Sequence, residues 1–309
     1  MKTPDQYQSD DVNDYRDGVS SSSRFGGIGA GALGPIIGLL FQTKTGRIIG
    51  IILIIAFICS GAKFGNIFNS SDGNFGQLGN TYNGIETQDP NGLKRGEAPT
   101  DQAAIFVSFV LDDVNNFWYE SFRQSGESYK SSKLNIFDGD INSGCGYASK
   151  DVGPFYCPRN EQTYIDLSFF DELKNRFGSS GDFAQAYVIA HEIGHHVQNT
   201  LGVNAKVEKL IQQGENRNFL SVRTELQADC LAGVWAYSAD ARGLLDVGDI
   251  EEALNAASNI GDDSIAKQSN VEISNEQFTH GTSQQRKHWL QVGYRSGDVQ
   301  SCDTFNSKI

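Results

Sequence analysis

The sequence DFAQAYVIAHEIGHHVQNTLG, residues 182–202, contains the pattern that decides the fold. Its apolar residues recur at the three- and four-residue spacing of a helix, and Gly202 supplies a helix end. His191 and His195 lie on one face of that helix, one turn apart, so both imidazoles can reach a single zinc ion. Glu192 lies beside them, where it can take a proton from the attacking water without being a ligand. The segment therefore predicts a catalytic zinc site.

A catalytic zinc site requires a third protein ligand and one open coordination position. The metzincin continuation is excluded, because Gln198 and Leu201 stand where that pattern requires Gly and His. A GTxxD pattern is excluded as well, since residues 281–285 are GTSQQ. The third ligand must come from another part of the chain.

The pattern ExxxD fits this requirement in the segment 218–243, which has helical periodicity. Glu225 and Asp229 share a face of that helix, and the small residues around them suit close packing against a second helix. We expect Glu225 to be the third ligand and Asp229 to accept a hydrogen bond from His191. Asp229 is the alternative third ligand.

The segment FTHGTSQQRKHWL, residues 278–290, offers two further candidates. His280 is a possible donor to the oxyanion that develops during hydrolysis of a carbonyl compound. Arg286, about one turn into the following helix, could serve the same site or hold the loop in place. A surface His and a surface Arg are the alternative interpretation.

Five runs of sequence resemble one bacterial family, the neutral zinc metallopeptidases that carry an N-terminal membrane anchor. The runs are GPFYCP at 153–158, TYIDLSFFDEL at 163–173, FGSSGDFAQAYVIAHEIGHHVQNTLG at 177–202, RTELQADCLAGVWA at 223–236 and FTHGTSQQRKHW at 278–289. The similarity covers roughly residues 101–305. It implies a gluzincin-like peptidase in which His191, His195 and Glu225 hold one Zn²⁺. The last two runs are also similar to the CAAX prenyl protease group, in which a late His and Arg line the active site.

The composition excludes one class of partner. The chain has 309 residues, a formal net charge of −13 and a pI near 4.8. Because it has no basic stripe, nucleic acid is not expected as a partner. The sequence leaves the oligomeric state open.

The N-terminal third is predicted to tether the domain to a membrane. We expect a poorly structured Gly- and Ser-rich tail at 1–46, one transmembrane anchor at 47–68, a linker at 69–99 and the metallopeptidase domain at 100–309. The anchor contains the uncharged run IIGIILIIAFICSGA and reaches spanning length if Lys63 extends to the interface. The apolar run FGGIGAGALGPIIGLLF, within the tail, could also lie against the membrane.

Charge and cysteine usage predict the side on which the domain lies. Basic residues that precede the anchor favour a cytoplasmic N-terminus, so the domain would be periplasmic or extracellular. Four cysteines outside the anchor allow three pairings. Cys145 with Cys157 is a natural local bridge, and Cys230 with Cys302 then follows. Such bridges require an oxidising compartment.

The expected fold is α+β and zincin-like: a small sheet packed by helices, preceded by one transmembrane helix. Residues 133–137 and 163–167 are predicted strands, and an edge strand from 144–148 or 163–167 would bind the substrate backbone. The preferred function is a membrane-anchored zinc endopeptidase acting on peptides or proteins. The alternative is a non-catalytic, membrane-tethered binding module with a structural or regulatory zinc site.

Overall fold

The computed structural model describes four stretches of the chain, residues 1–16, 101–175, 178–179 and 181–309. The predicted anchor at 47–68 and the predicted linker at 69–99 lie outside these stretches. Among the helices that are described, none has the length and apolar character needed to cross a bilayer.

Within these stretches, six strands form two sheets. They are β1 Val12–Asp14, β2 Lys133–Phe137, β3 Asp140–Ser143, β4 Gly146–Ser149, β5 Phe155–Cys157 and β6 Gln162–Asp166. The larger sheet has the order β1-β2-β6-β5, with β5 antiparallel to β6 and the other pairs parallel. Strands β3 and β4 form a separate hairpin. The two predicted strands are confirmed as β2 and β6.

Eight α-helices are described, and they make up most of the domain. They are α1 Gln102–Gln124, α2 Ser168–Asn175, α3 Asp182–Thr200, α4 Val203–Gln212, α5 Arg217–Ala241, α6 Asp249–Asn259, α7 Asp262–Gln268 and α8 Ser283–Ser296. Short 3₁₀ turns lie at Lys150–Val152, Asn275–Gln277 and Val299–Cys302. The predicted α+β class is confirmed.

Helix α3, which carries the histidine motif, lies at the centre of the core. Helices α1, α5 and α6 and the β5–β6 end of the sheet all pack against it. Its side chains are therefore buried on nearly every face, including Phe183, Tyr187 and Ile193. A helix held from all sides fixes the positions of the two motif histidines.

Helices α5 and α8 cross unusually closely, and two glycines permit the approach. A Cβ atom on Gly233 would lie 2.2 Å from the carbonyl oxygen of Leu290, and one on Gly293 would lie 1.9 Å from that of Cys230. Neither position has room for a side chain. This contact brings α8 against the part of α5 that carries Glu225 and Asp229.

The first residues of the chain contradict the prediction of an unstructured tail at 1–46. Residues 12–14 form β1 and pair with β2, and Met1 is 7% exposed within the core. A strand of three residues has no local signal of its own, since its order comes from pairing with a distant strand. The rest of the predicted tail lies outside the described residues.

Both predicted disulfides are present. Cys145 bonds to Cys157, which joins the β3–β4 hairpin to β5. Cys230 bonds to Cys302, which ties α5 to the C-terminal 3₁₀ turn. With all four sulfurs in disulfides, these cysteines are not available as metal ligands.

Candidate metal centre

Three donor side chains from two helices meet at one point. Nε2 of His191 lies 3.2 Å from one carboxylate oxygen of Glu225, and Nε2 of His195 lies 3.4 Å from the other. The three ligand atoms all lie within 4.8 Å of one another. Ligands about 2.0–2.1 Å from a tetrahedral zinc ion are separated by about 3.4 Å. The predicted ligand set is therefore brought together at a spacing that fits zinc.

Asp229 orients His191 from the side away from the ligand cluster. One carboxylate oxygen lies 2.8 Å from Nδ1 of His191 and accepts a hydrogen bond from the Tyr187 hydroxyl at 2.6 Å. Arg286 donates to both oxygens, from Nε and Nη2, at 2.9 Å each. Because these bonds occupy its carboxylate, Asp229 fits the predicted orienting role rather than that of a ligand.

The charges of this network prepare the cluster for a cation. Burial lowers the pKa of His191, but the charge and hydrogen bond of Asp229 outweigh burial and raise that pKa to about 9. Burial raises the pKa of Asp229, yet Arg286 and His191 bring it down to about 2. In Glu225, burial is likewise outweighed by the two histidines, and the pKa falls well below its ordinary value. Both carboxylates are thus ionised at neutral pH, and a metal ion would displace a proton from His191.

His195 has its own orienting partner, Gln198 on the next turn of α3. Nδ1 of His195 lies 2.9 Å from Oε1 of Gln198. The Gln198 amide in turn donates to the carbonyl of Thr224 at 2.7 Å and to Gln227 at 3.1 Å. His191 and His195 are thus both held through Nδ1, which leaves their Nε2 atoms to face Glu225.

Glu192 lies beside the cluster but is not part of it. Its side chain is buried. Burial raises the pKa of Glu192 above its ordinary value, against the opposing charges of His195 and His191. A carboxylate with a raised pKa is a better proton acceptor near neutral pH.

Strand β5 forms the edge of the sheet next to the site. In the described part of the chain it pairs with β6 alone, so its other edge has no strand partner, and it packs against α3. The edge strand expected at 163–167 is wrong, because residues 163–166 lie in β6, between β2 and β5. Residues 146–148 lie in β4 of the two-stranded hairpin, so the alternative at 144–148 stays a prediction.

His196, the third histidine of the motif, fastens β5 to α3. Its Nδ1 lies 3.0 Å from the hydroxyl of Tyr156 and its Nε2 lies 2.7 Å from the carbonyl of Lys130. Burial lowers the pKa of His196, so the ring is neutral. His196 thus holds the edge strand in position and does not contribute a ligand atom to the cluster.

His280 lies in the loop before α8 and is held by Asp262. Nδ1 of His280 lies 3.1 Å from Oδ1 of Asp262. The other oxygen of Asp262 accepts backbone N–H bonds from Thr279, His280 and Gly281 at 2.7–3.0 Å. Burial raises the pKa of Glu225, and the charges of His195 and, less strongly, of His280 lower it. The role of His280 as a donor stays a prediction.

Arg286 lies in the core against Asp229, which contradicts the alternative of a surface Arg. Arg286 is 2% exposed, and its guanidinium is bound to Asp229 and to the Tyr187 hydroxyl. It therefore supports His191 indirectly. Sequence reasoning missed Tyr187 and Asp262, because their partners lie in distant parts of the chain. It also missed Gln198, although the three-residue spacing from His195 on the same helix was a local signal.

A second group of acidic side chains lies apart from this site. Asp182, Asp249 and Glu252 could hold a cation by spacing alone. The N-terminal ammonium group of Met1 lies among them, 2.9 Å from Asp182 and 3.0 Å from Asp249. This ammonium group offsets part of the negative charge of the cluster, and its ion pairs hold Met1 against α3 and α6.

Comparison with known proteins gives one family match. The model of a family described as "Putative neutral zinc metallopeptidase" matches residues 1–305. The match includes both the docked N-terminal segment and the whole domain.

Two relatives illustrate the range of similarity. An Escherichia coli protein named "Uncharacterized protein YpfJ" is 49% identical over 211 residues, which is 68% of this chain and 74% of the relative. A Mycobacterium tuberculosis protein named "Uncharacterized protein Rv2575" is 46% identical over 190 residues, which is 58% of this chain and 64% of the relative. The search of solved structures found no match.

Proposed function

The chain belongs to the neutral zinc metallopeptidase family, and on that premise we propose that it is a zinc-dependent endopeptidase with one zinc per chain. The observation that carries the proposal is the spacing of three donor groups, the Nε2 atoms of His191 and His195 and the carboxylate of Glu225. The carboxylate of Glu192 follows His191 on the same helix and is not one of the ligands. A structural zinc site usually has four protein ligands, often Cys, and does not need such a carboxylate.

The proposed mechanism assigns a step to each side chain. His191, His195 and Glu225 would hold the zinc ion, which when bound polarises the scissile carbonyl and activates water. Glu192 accepts the proton of the attacking water and passes it to the leaving amine. His280 donates a hydrogen bond to the oxyanion.

Strand β5 supplies the proposed binding edge for the substrate backbone. An extended peptide would add by main-chain hydrogen bonds to the edge that has no strand partner among the described residues, as in other cases of strand addition. Tyr156 supports this placement, because its hydroxyl is held by His196 on the same helix as His191 and His195. We further propose that the domain works outside the cytoplasm, where its two disulfides are stable.

Metal analysis tests the proposal directly. We expect the purified full chain to contain about one zinc per chain, and Glu225→Ala to lose most of it, because two histidines alone leave the site incomplete. Mass spectrometry of metals after dialysis measures both. A wild-type chain without zinc, or a Glu225→Ala chain with full occupancy, would contradict the assigned site.

Asp262→Asn tests whether His280 acts on the substrate. Burial lowers the pKa of His280, while the hydrogen bond and charge of Asp262 raise it above its ordinary value. Without that charge the pKa of His280 falls, so the alkaline limb of the kcat/KM profile should move to lower pH. We also expect kcat/KM to fall about 10- to 100-fold, less than the ~10²–10³ of a lost oxyanion donor.

The matched control is Asp263→Asn, the neighbouring acid. Asp263 is exposed and accepts hydrogen bonds from Ser283 at 2.7 Å, so it supports the same loop without touching His280. Its pH profile should remain that of the wild type. An unshifted profile in Asp262→Asn would remove His280 from the mechanism.

A further inference from the structure

One face of helix α5 contacts two residues near the end of the chain, Cys302 and Thr304. The face consists of Arg223, Gln227 and Cys230, which follow one another at spacings of four and three residues. Cys230 is bonded to Cys302, and the amide of Gln227 donates to the carbonyl of Cys302 at 3.0 Å. Thr304 donates to the carbonyl of Arg223 at 2.7 Å. The C-terminal 3₁₀ turn is therefore fastened to α5 around Gln227.

Gln227 also contacts helix α3, which carries the two histidine ligands. Its side-chain oxygen accepts a hydrogen bond from the Gln198 amide at 3.1 Å, and that amide donates a second bond to the carbonyl of Thr224 at 2.7 Å. The oxygen of Gln198 lies 2.9 Å from Nδ1 of His195. Two glutamines therefore connect the carbonyl of Cys302 to a proposed zinc ligand.

Two backbone carbonyls, those of Thr224 and Cys302, determine the direction of every hydrogen bond in this connection. A carbonyl oxygen can only accept, so each glutamine turns its NH₂ group toward the carbonyl that it reaches. The oxygen of Gln198 then faces His195. Because an amide oxygen cannot donate, Nδ1 of His195 carries the hydrogen. In the neutral ring Nε2 is then unprotonated, and this is the nitrogen that faces the Glu225 carboxylate.

Burial leaves Gln198 little freedom to turn round. Its side chain is 0% exposed, and both hydrogens of its NH₂ group are used by Thr224 and Gln227. If the amide were reversed, its oxygen would face the Thr224 carbonyl and its NH₂ group would lose both acceptors, which is costly in a buried position. Gln227 is partly exposed and reaches His195 through Gln198.

We propose that Gln227 is a positioning residue for the zinc ligand His195, acting through Gln198 and anchored by the carbonyl of Cys302. The disulfide of Cys302 then has a second effect besides joining two elements, because it keeps that carbonyl beside Gln227. The inference rests on the proposed zinc site but not on catalysis. Its readout is therefore the affinity of the chain for zinc.

Substitution of the two glutamines in the full chain tests their role. We expect Gln198→Met to bind zinc about 10- to 100-fold more weakly, the usual effect of losing a group that orients a metal ligand. Gln227→Met should lose less, about threefold to tenfold, because Gln198 keeps its bond to Thr224. Gln212→Met is the matched control, since its exposed amide donates to Glu208 on α4. Competition with a zinc chelator of known affinity measures all three.

The double variant distinguishes positioning from a merely structural role. If Gln227 acts through Gln198, the chain with both substitutions should bind zinc no more weakly than Gln198→Met alone, whereas independent losses would multiply. The visible spectrum of bound Co²⁺, which reports ligand geometry, should differ between Gln227→Met and the wild type. Because Gln227 is partly exposed, Gln227→Met decides the question even if Gln198→Met does not fold.

Two results would overturn the positioning role while leaving the zinc site in place. One is a Gln227→Met chain with the zinc affinity and the cobalt spectrum of the wild type, and the other is a double variant in which the two losses multiply. A wild-type chain that binds no zinc would instead overturn the proposed zinc site itself, and this inference with it.

Discussion

Replacing Glu192 with Gln is expected to abolish peptide hydrolysis while the zinc remains bound. The amide keeps the size and shape of the carboxylate, but it cannot take a proton from water. Loss of a general base lowers kcat by about 10²–10⁴-fold. Cleavage of a quenched-fluorescent peptide library gives the rate, and metal analysis of the same sample gives the zinc content.

The matched control is Glu172→Gln on α2, an exposed residue outside the site. It should retain wild-type activity and zinc. Undiminished hydrolysis in Glu192→Gln would exclude this residue as the base. If the wild-type chain binds zinc but cleaves neither the library nor proteins, the alternative of a binding module with a structural zinc gains support.

Replacing Arg286 with Met is expected to cause a large loss of stability. Asp229 is 0% exposed and Arg286 2% exposed, so the variant leaves a buried carboxylate without its compensating charge. Removal of one partner from a buried ion pair costs about 3–5 kcal/mol. Urea titration of the zinc-loaded full chain in detergent, with its disulfides intact, measures the change in unfolding free energy.

A surface pair provides the control for this experiment. Arg123 pairs with Glu120 on α1, and both side chains are more than half exposed. Arg123→Met should leave the unfolding free energy almost unchanged, since water screens such pairs. If Arg286→Met proved as stable as Arg123→Met, the proposed support of His191 through Asp229 would be wrong.

The parts of the site that sequence could predict are those that depend on helical spacing. His191, Glu192 and His195 follow from one turn of helix, and Glu225 with Asp229 from another. Their residue types and spacing along each helix were enough to predict a metal site. The contact between the two helices was the part that required the structure. Each disulfide was also predictable, because few cysteines restrict the pairings.

The parts that sequence missed depend on contacts between elements far apart in the chain. Strand β5 has only three residues, and its position at the edge of the sheet becomes visible only from its pairing with β6. Asp262 begins a seven-residue helix and reaches His280 through the tertiary fold. β1 is ordered by a strand more than a hundred residues later. Local patterns cannot reveal such partners.

The glycine crossing of α5 and α8 determines what would have to be transplanted to rebuild this centre in another protein. The histidine motif and Glu225 would not be sufficient, because Asp229 is held by Arg286, which lies on α8. Helix α8 can approach α5 this closely only because Gly233 and Gly293 have no side chains. Gly233 and Gly293 are therefore as necessary to the proposed zinc site as its ligands are. A designer who copied only the polar atoms would leave out the spacing that positions them.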